Sequence, residues 1–145
     1  MSQPASDQKF TSRFAEIPQP RCLELLMQKK SGRVAWNAAD GPKILPVTYQ
    51  YWNGTVVFRT ATDGPLAALA HRTRVAFEID EIDDEREAGW SVMVRGPATA
   101  VTQDYALSTL WRNGPLPWAG GVRNVFIAIT PESVPGRAVK SGSAD

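Results

Sequence analysis

PKILPVTYQYW (42–52), TVVFRTAT (55–62), VAFEIDEI (75–82) and GWSVMVRGPATAV (89–101) are the segments whose reading decides the fold. Each is short, rich in β-branched and aromatic residues and bounded by turn formers, which predicts strands. Asn53-Gly54 divides the first from the second, and a two-residue type I′ turn favours that dipeptide because both central residues take positive φ. In the fourth segment Trp90, Val92 and Val94 alternate with Ser91, Met93 and Arg95, so only one face can be core. Gly96-Pro97 predicts a bulge or an edge where the alternation stops.

Working outward, Pro18 and Pro20 introduce RCLELLMQKKSG, in which Leu23, Leu26 and Met27 recur at helical spacing and Gly32 supplies a stop. RVAWN (33–37) reads as a brief strand, followed by turn residues at Ala39, Asp40, Gly41 and Pro42. Arg74 to Ile82 reads as a long strand, and the charged run DEIDDERE (80–87) after it as a solvated connection without a ligand role. TQDYALSTLW (102–111) sets Leu107, Leu110 and Trp111 at helical spacing, RNGPLPWAGG (112–121) is a stiff loop, and NVFIAIT (124–130) is a last strand. Roughly six strands with three short helices, joined mostly by hairpins, predict a mainly β barrel or sandwich. The expected organisation is a flexible segment over 1–14, one domain over 15–139 and a flexible tail over 140–145.

Composition removes several function classes. A net charge of +1 with interspersed signs gives no electrostatic footprint for nucleic acid or a membrane surface. One cysteine and one histidine, Cys22 and His71, cannot build a disulfide or a Cys/His zinc site within one chain. No apolar run has the length of a signal-peptide core or a membrane span, so a cytoplasmic protein is the expectation. The sequence has no G-x-G-x-x-G, Walker A or G-x-S-x-G motif.

Chemistry concentrates where the second strand ends. Arg59, Thr60 and Thr62 precede Asp63-Gly64-Pro65 and the helix-like LAALAHR (66–72), so a guanidinium and two hydroxyls meet a helix N-terminus. That set suits a phosphate monoester. The alternative makes Arg59 a surface charge and Thr60 and Thr62 caps of the next helix. Pro65 supplies no N–H at the first turn.

ILPVTY, VVFRTAT with LAAL, VAFEID, GWSVMVRG and finally PW-x-x-G-x-R, in that order, resemble the pyridoxamine 5′-phosphate oxidase-like, flavin-binding split-barrel family, in particular its short actinobacterial type. The resemblance covers about residues 20–139. It implies a six-stranded antiparallel split β-barrel that forms a homodimer, with flavin mononucleotide (FMN) in clefts between subunits. It further implies that Pro46, Val47 and Thr48 lie along the ring, and that Arg59, Thr60, Ala61 and Thr62 hold the ribityl chain and phosphate. Gly64 and Leu66 would shape the turn, Trp90 and Ser91 face the cleft, and Trp118 and Arg123 close it from the neighbouring chain. In the family a lysine commonly precedes the leucine after the FRT strand, and here Pro65 holds that place. The chain also ends without the arginine and histidine pair of the oxidases proper, so vitamin B6 oxidation is not expected.

The implied function is an FMN-dependent oxidoreductase acting on a small planar substrate, with no catalytic side chain assigned. Two alternatives stand beside it. The deazaflavin F420 would need a basic groove for its acidic tail, for which Lys29, Lys30, Arg33 and Lys43 are candidates, and a non-catalytic flavin- or haem-binding protein is favoured by Pro65. His71 reads as a surface or capping residue and Cys22 as a small buried apolar one. Trp36 and Trp52 read as core or interface, Trp90 and Trp118 as candidates for stacking on a planar ligand. Arg95 is expected to pair with Glu78 or Asp80.

Overall fold

The computed structural model describes residues 14–117 and 123–140, within which one antiparallel sheet of nine strands is decorated by two α-helices and a six-residue 3-10 helix. The main path runs β3 (Gly41–Thr48), β2 (Ser31–Ala38), β6 (Thr73–Asp83), β7 (Ala88–Ala100), β8 (Val125–Ile129), β5 (Thr55–Thr60) and β4 (Gln50–Trp52). Short β1 (Phe14–Glu16) pairs with β9 (Gly136–Val139), which lies against β7. The path's two outermost strands, β3 and β4, are consecutive in the chain and separated by Tyr49 alone. The sheet therefore curls until its edges meet at that residue, which is the geometry of a split barrel.

Tyr49 holds the seam. Its N–H donates to the Lys30 carbonyl at 3.0 Å, its buried hydroxyl donates to the Leu26 carbonyl at 2.6 Å, and its ring meets Phe77 edge-on with centroids 4.7 Å apart. Burial pushes the phenol well above its ordinary range, so it stays a neutral donor. Because of this inward turn KILPVTYQYW is two strands. That split, with the short β1 and β9, raises the count from the expected six to nine.

Helix α1 (Gln19–Gln28) buries Cys22, Leu25 and Leu26 and leaves Met27 exposed. It stops at Lys29, whose N–H donates to the Leu25 carbonyl, so Gly32 is no helix stop and lies inside β2. The barrel core gathers Val34, Phe58, Phe77, Ile79, Val94 and Ile127. A second cluster of Val57, Leu110 and Phe126 seats α2 (Asp104–Asn113) on the outer face of β5 and β8.

At Asn53 and Gly54 φ is 53° and 77°, as the type I′ turn demands. Gly96-Pro97, by contrast, makes neither bulge nor edge: β7 keeps its register with β6 from Ala88 to Ala98. The reason is phase. Met93 and Arg95 donate their N–H to Pro135 and Ser133, away from β6, so the donor that Pro97 lacks would also have pointed away from β6. Gly96 is required because a Cβ there would fall on the Thr130 carbonyl oxygen. No helix among the described residues is long and apolar enough to cross a membrane.

Candidate functional site: a cleft beside the barrel seam

A cleft of about 590 Å³ opens where β2 and β3 approach the end of β5, within the range of small-molecule sites. Pro46, Val47 and Thr48 form one side, Arg59 and Thr60 the end, and Pro65, Leu66, Pro117 and Arg123 the rest of that end. Seven of the residues that the resemblance implied, namely Pro46, Val47, Thr48, Arg59, Thr60, Leu66 and Arg123, thus come together in one chain, Arg123 lining the cleft of its own chain where the resemblance had implied the neighbouring one. Ala61 and Gly64 are each next in sequence to a lining residue and Thr62 lies between them, but none of the three lines the cleft. Trp90 and Ser91 line a different, smaller hollow with Ile82, Gly89 and Val139. Trp118 lies outside the described residues.

Backbone parity decides which amides of β3 are available. The Tyr49-to-Lys30 bond identifies the hydrogen-bonded phase of the β2–β3 ladder, and alternation commits Val47 to Gly32 and Leu45 to Val34. The N–H of Thr48 therefore points off the free edge of β3, while at Pro46 and Pro42, in the same phase, no N–H exists. Edge prolines blunt the strand against further pairing. The Thr48 hydroxyl donates to the Leu116 carbonyl at 3.2 Å and ties β3 to the loop after α2.

The turn after β5 differs from the sequence expectation. Pro65–Ala70 is a 3-10 helix of six residues, too short for an appreciable dipole, and no side chain caps it. Thr60 is buried and its hydroxyl turns onto the Ala61 carbonyl at 3.4 Å, whereas Thr62 is exposed. Neither threonine acts as a cap.

Electrostatics separates two walls. On one, Lys29 meets Glu81 at 3.3 Å and Arg33 meets Glu78 at 3.0 Å and Asp80 at 2.9 Å. Burial, followed by the hydrogen bond and charge of Asp80, holds the Glu78 carboxyl above its usual range despite Arg33. Glu78 and Asp80 thus answer to Arg33, not to Arg95 as expected. Asp80 also lines the cleft, so the run that opens with it is strand here and not purely solvated connection.

At the other end the cations have no carboxylate. Arg59 donates Nε–H to the Arg123 carbonyl at 3.0 Å, and its guanidinium carbon lies 4.5 Å from the Trp111 ring centroid and 5.2 Å from that of Phe126. No acidic partner of Arg59 or Arg123 occurs among the described residues. The Arg123 Nε is buried without a hydrogen-bond partner. A buried orphan donor is costly, so a donor set of this kind fits an anion that fills it.

Of the four candidate groove residues, Lys29 and Arg33 line the cleft but are paired, Lys30 is exposed elsewhere, and Lys43 pairs with Asp40 at the far end of the hairpin. Cys22 is buried and His71 ends the 3-10 helix on the surface, as expected of both. Trp36 is core, and Trp52 packs against the cluster under α2. The sequence reading missed Trp111 as a neighbour of Arg59 and the Arg33–Glu78 pairing. Only the second left a signal, in the opposite charges of two strands.

The fold and the cleft have relatives. The family model described as pyridoxamine 5′-phosphate oxidase matches residues 18–138. An uncharacterised protein of Mycobacterium tuberculosis, Rv0080, is 30% identical over 133 residues, 88% of this chain and 87% of that protein. The structure of the FAD binding protein from Mycobacterium smegmatis superposes with a TM-score of 0.73 at 28% identity, covering 87% of this chain and 98% of that one. A conserved protein of unknown function from Corynebacterium diphtheriae gives the same TM-score and identity over 88% and 98%. With a curled antiparallel sheet and a family match across nearly its whole folded length, this chain belongs to the pyridoxamine 5′-phosphate oxidase-like split-barrel family.

Proposed function

We propose that the protein is a flavin-binding oxidoreductase whose cleft holds the FMN moiety, as FMN itself or as part of FAD, and passes electrons to a small planar substrate. The observation that carries this reading is the pair Arg59 and Arg123, two guanidinium groups at one end of the cleft with no carboxylate between them. The 28% identity to an FAD binding protein supports the flavin class.

When bound, a flavin supplies two-electron hydride chemistry, and the chain supplies binding and orientation. Arg59 and Arg123 hold the phosphate through charge-assisted hydrogen bonds. Thr48 donates its free N–H to the polar edge of the ring, and Val47 does not, because its amide belongs to the ladder. Pro46, Val47 and Leu66 present apolar surface that excludes water from one ring face. Trp90 and Ser91 line a separate hollow and not the cleft of their own chain, although Ser91 lies opposite the cleft residue Asp80 in register. In this reading they reach the cleft of a second copy, and the protein is a homodimer.

Protein purified without added cofactor tests the reading. Retained yellow flavin, released by heat and identified by mass as FMN or FAD, supports it, and the mass decides between the two. Protein that neither retains nor takes up either flavin overturns it. Preferential thermal stabilisation by F420 would establish the deazaflavin in its place.

A further inference from the structure

We infer that Trp111 is a positioning residue of the anion-binding end of the cleft, acting on the ligand only through the guanidinium of Arg59. This inference rests on the flavin reading for the identity of the ligand, and its geometry stands apart from it.

Helix α2 lies outside the barrel and is anchored by Leu110, which is 2% exposed in the cluster with Val57 and Phe126. Trp111, the next residue, is 51% exposed, so burial does not account for a tryptophan there. What it touches does. Trp111 and Phe126 meet edge-to-face, with centroids 5.3 Å apart and planes at 89°, and make a right-angled aromatic corner. The guanidinium of Arg59 sits in that corner, 4.5 Å from the indole centroid. Register explains the placement, since Arg59 lies directly opposite Phe126 on β8 and shares the outer face of β5 with Val57.

Three contacts then fix a side chain that would otherwise explore many rotamers. The indole covers one face of the guanidinium, Phe126 adds a second aromatic neighbour, and Nε–H is held by the Arg123 carbonyl. Neither terminal nitrogen of Arg59 has a hydrogen-bond partner among the described residues, and Arg59 lines the cleft. A planar fork whose orientation is set beforehand loses less entropy when it grips an anion. Trp111 itself does not line the cleft. The same helix leads into the loop whose Leu116 carbonyl accepts from Thr48, so α2 and the loop after it brace the β3 side of the cleft as well as its Arg59 end.

The test combines a thermodynamic cycle with a spectroscopic signature. FMN affinity is measured by fluorescence quenching for wild type, Trp111→Leu, Trp111→Phe, Arg59→Ala and the Arg59→Ala/Trp111→Leu double variant, with thermal melts to establish that each is folded. Trp111→Leu should weaken binding about fivefold to tenfold, the range of a partly desolvated cation–π contact, and Trp111→Phe should recover part of the loss. In the Arg59→Ala background the tryptophan change should have no further effect. Equal weakening in both backgrounds, or none in either, overturns the inference. Without ligand, the Arg59 side-chain proton resonances should be displaced upfield by the indole ring current and return toward ordinary values in Trp111→Leu. Absence of that displacement also overturns it. A displaced Arg59 in a protein that binds no flavin would leave the positioning intact and defeat the flavin assignment alone.

Discussion

Arg59 shows how a residue acquires meaning at the smallest scale. Its identity and its place at the end of an apolar strand were readable in the sequence, and so was its suitability for a phosphate. Its neighbours were not, because Trp111, Arg123 and Phe126 are between 52 and 67 residues away in sequence and meet it only across the sheet and under α2. Removing it by Arg59→Ala should weaken flavin retention about tenfold to a hundredfold, the worth of one or two charge-assisted hydrogen bonds, while leaving the melting temperature nearly unchanged. Equilibrium dialysis and a thermal melt decide it, and full retention would remove Arg59 from the site. Pro65 is the complementary case. It lines the cleft where the family commonly carries a lysine, so Pro65→Lys should tighten binding, measured by the same dialysis, and the gain should shrink as salt is raised.

At the scale of elements, local signals were reliable where one turn or one strand carries its own constraint. Asn53-Gly54 demanded positive φ and has it. Gly96-Pro97 misled because a proline is compatible with an unbroken ladder whenever its missing donor points away from the partner, and phase is a property of two strands together. Gly96→Ala should destabilise the protein by about 1–3 kcal/mol through overlap with the Thr130 carbonyl, read from denaturant midpoints, and an unchanged midpoint would deny that close approach. The β2–β6 wall gives a pH dependence. Glu78 has its folded-state carboxyl raised, so over the window between its unfolded and folded values the native protein holds a proton that the unfolded chain has released. Stability contributed by this group is therefore present below its ordinary carboxylate range and declines as pH rises through the raised value. Glu78→Gln should flatten that decline in chemical denaturation across mildly acidic pH, and parallel curves for variant and wild type would refute the assignment.

For the whole molecule, the proposed homodimer is tested through Trp90, which lines a hollow other than the cleft of its own chain. Sedimentation should give twice the chain mass, and Trp90→Ala should weaken flavin binding without altering the cleft of the chain that carries it; a monomer at binding-competent concentrations would dismiss both. The sequence by itself determined the element types, the hairpin, the mainly β class and the residues suited to an anion, because propensity, alternation and turn chemistry act over a few neighbouring residues. Only the tertiary structure decided that the edges β3 and β4 meet at Tyr49, that Arg59 and Arg123 share one end of a cleft without a carboxylate, and that Arg33 takes Glu78 and Asp80. Those outcomes depend on sheet curvature and strand register, which are fixed by packing between segments far apart in the chain.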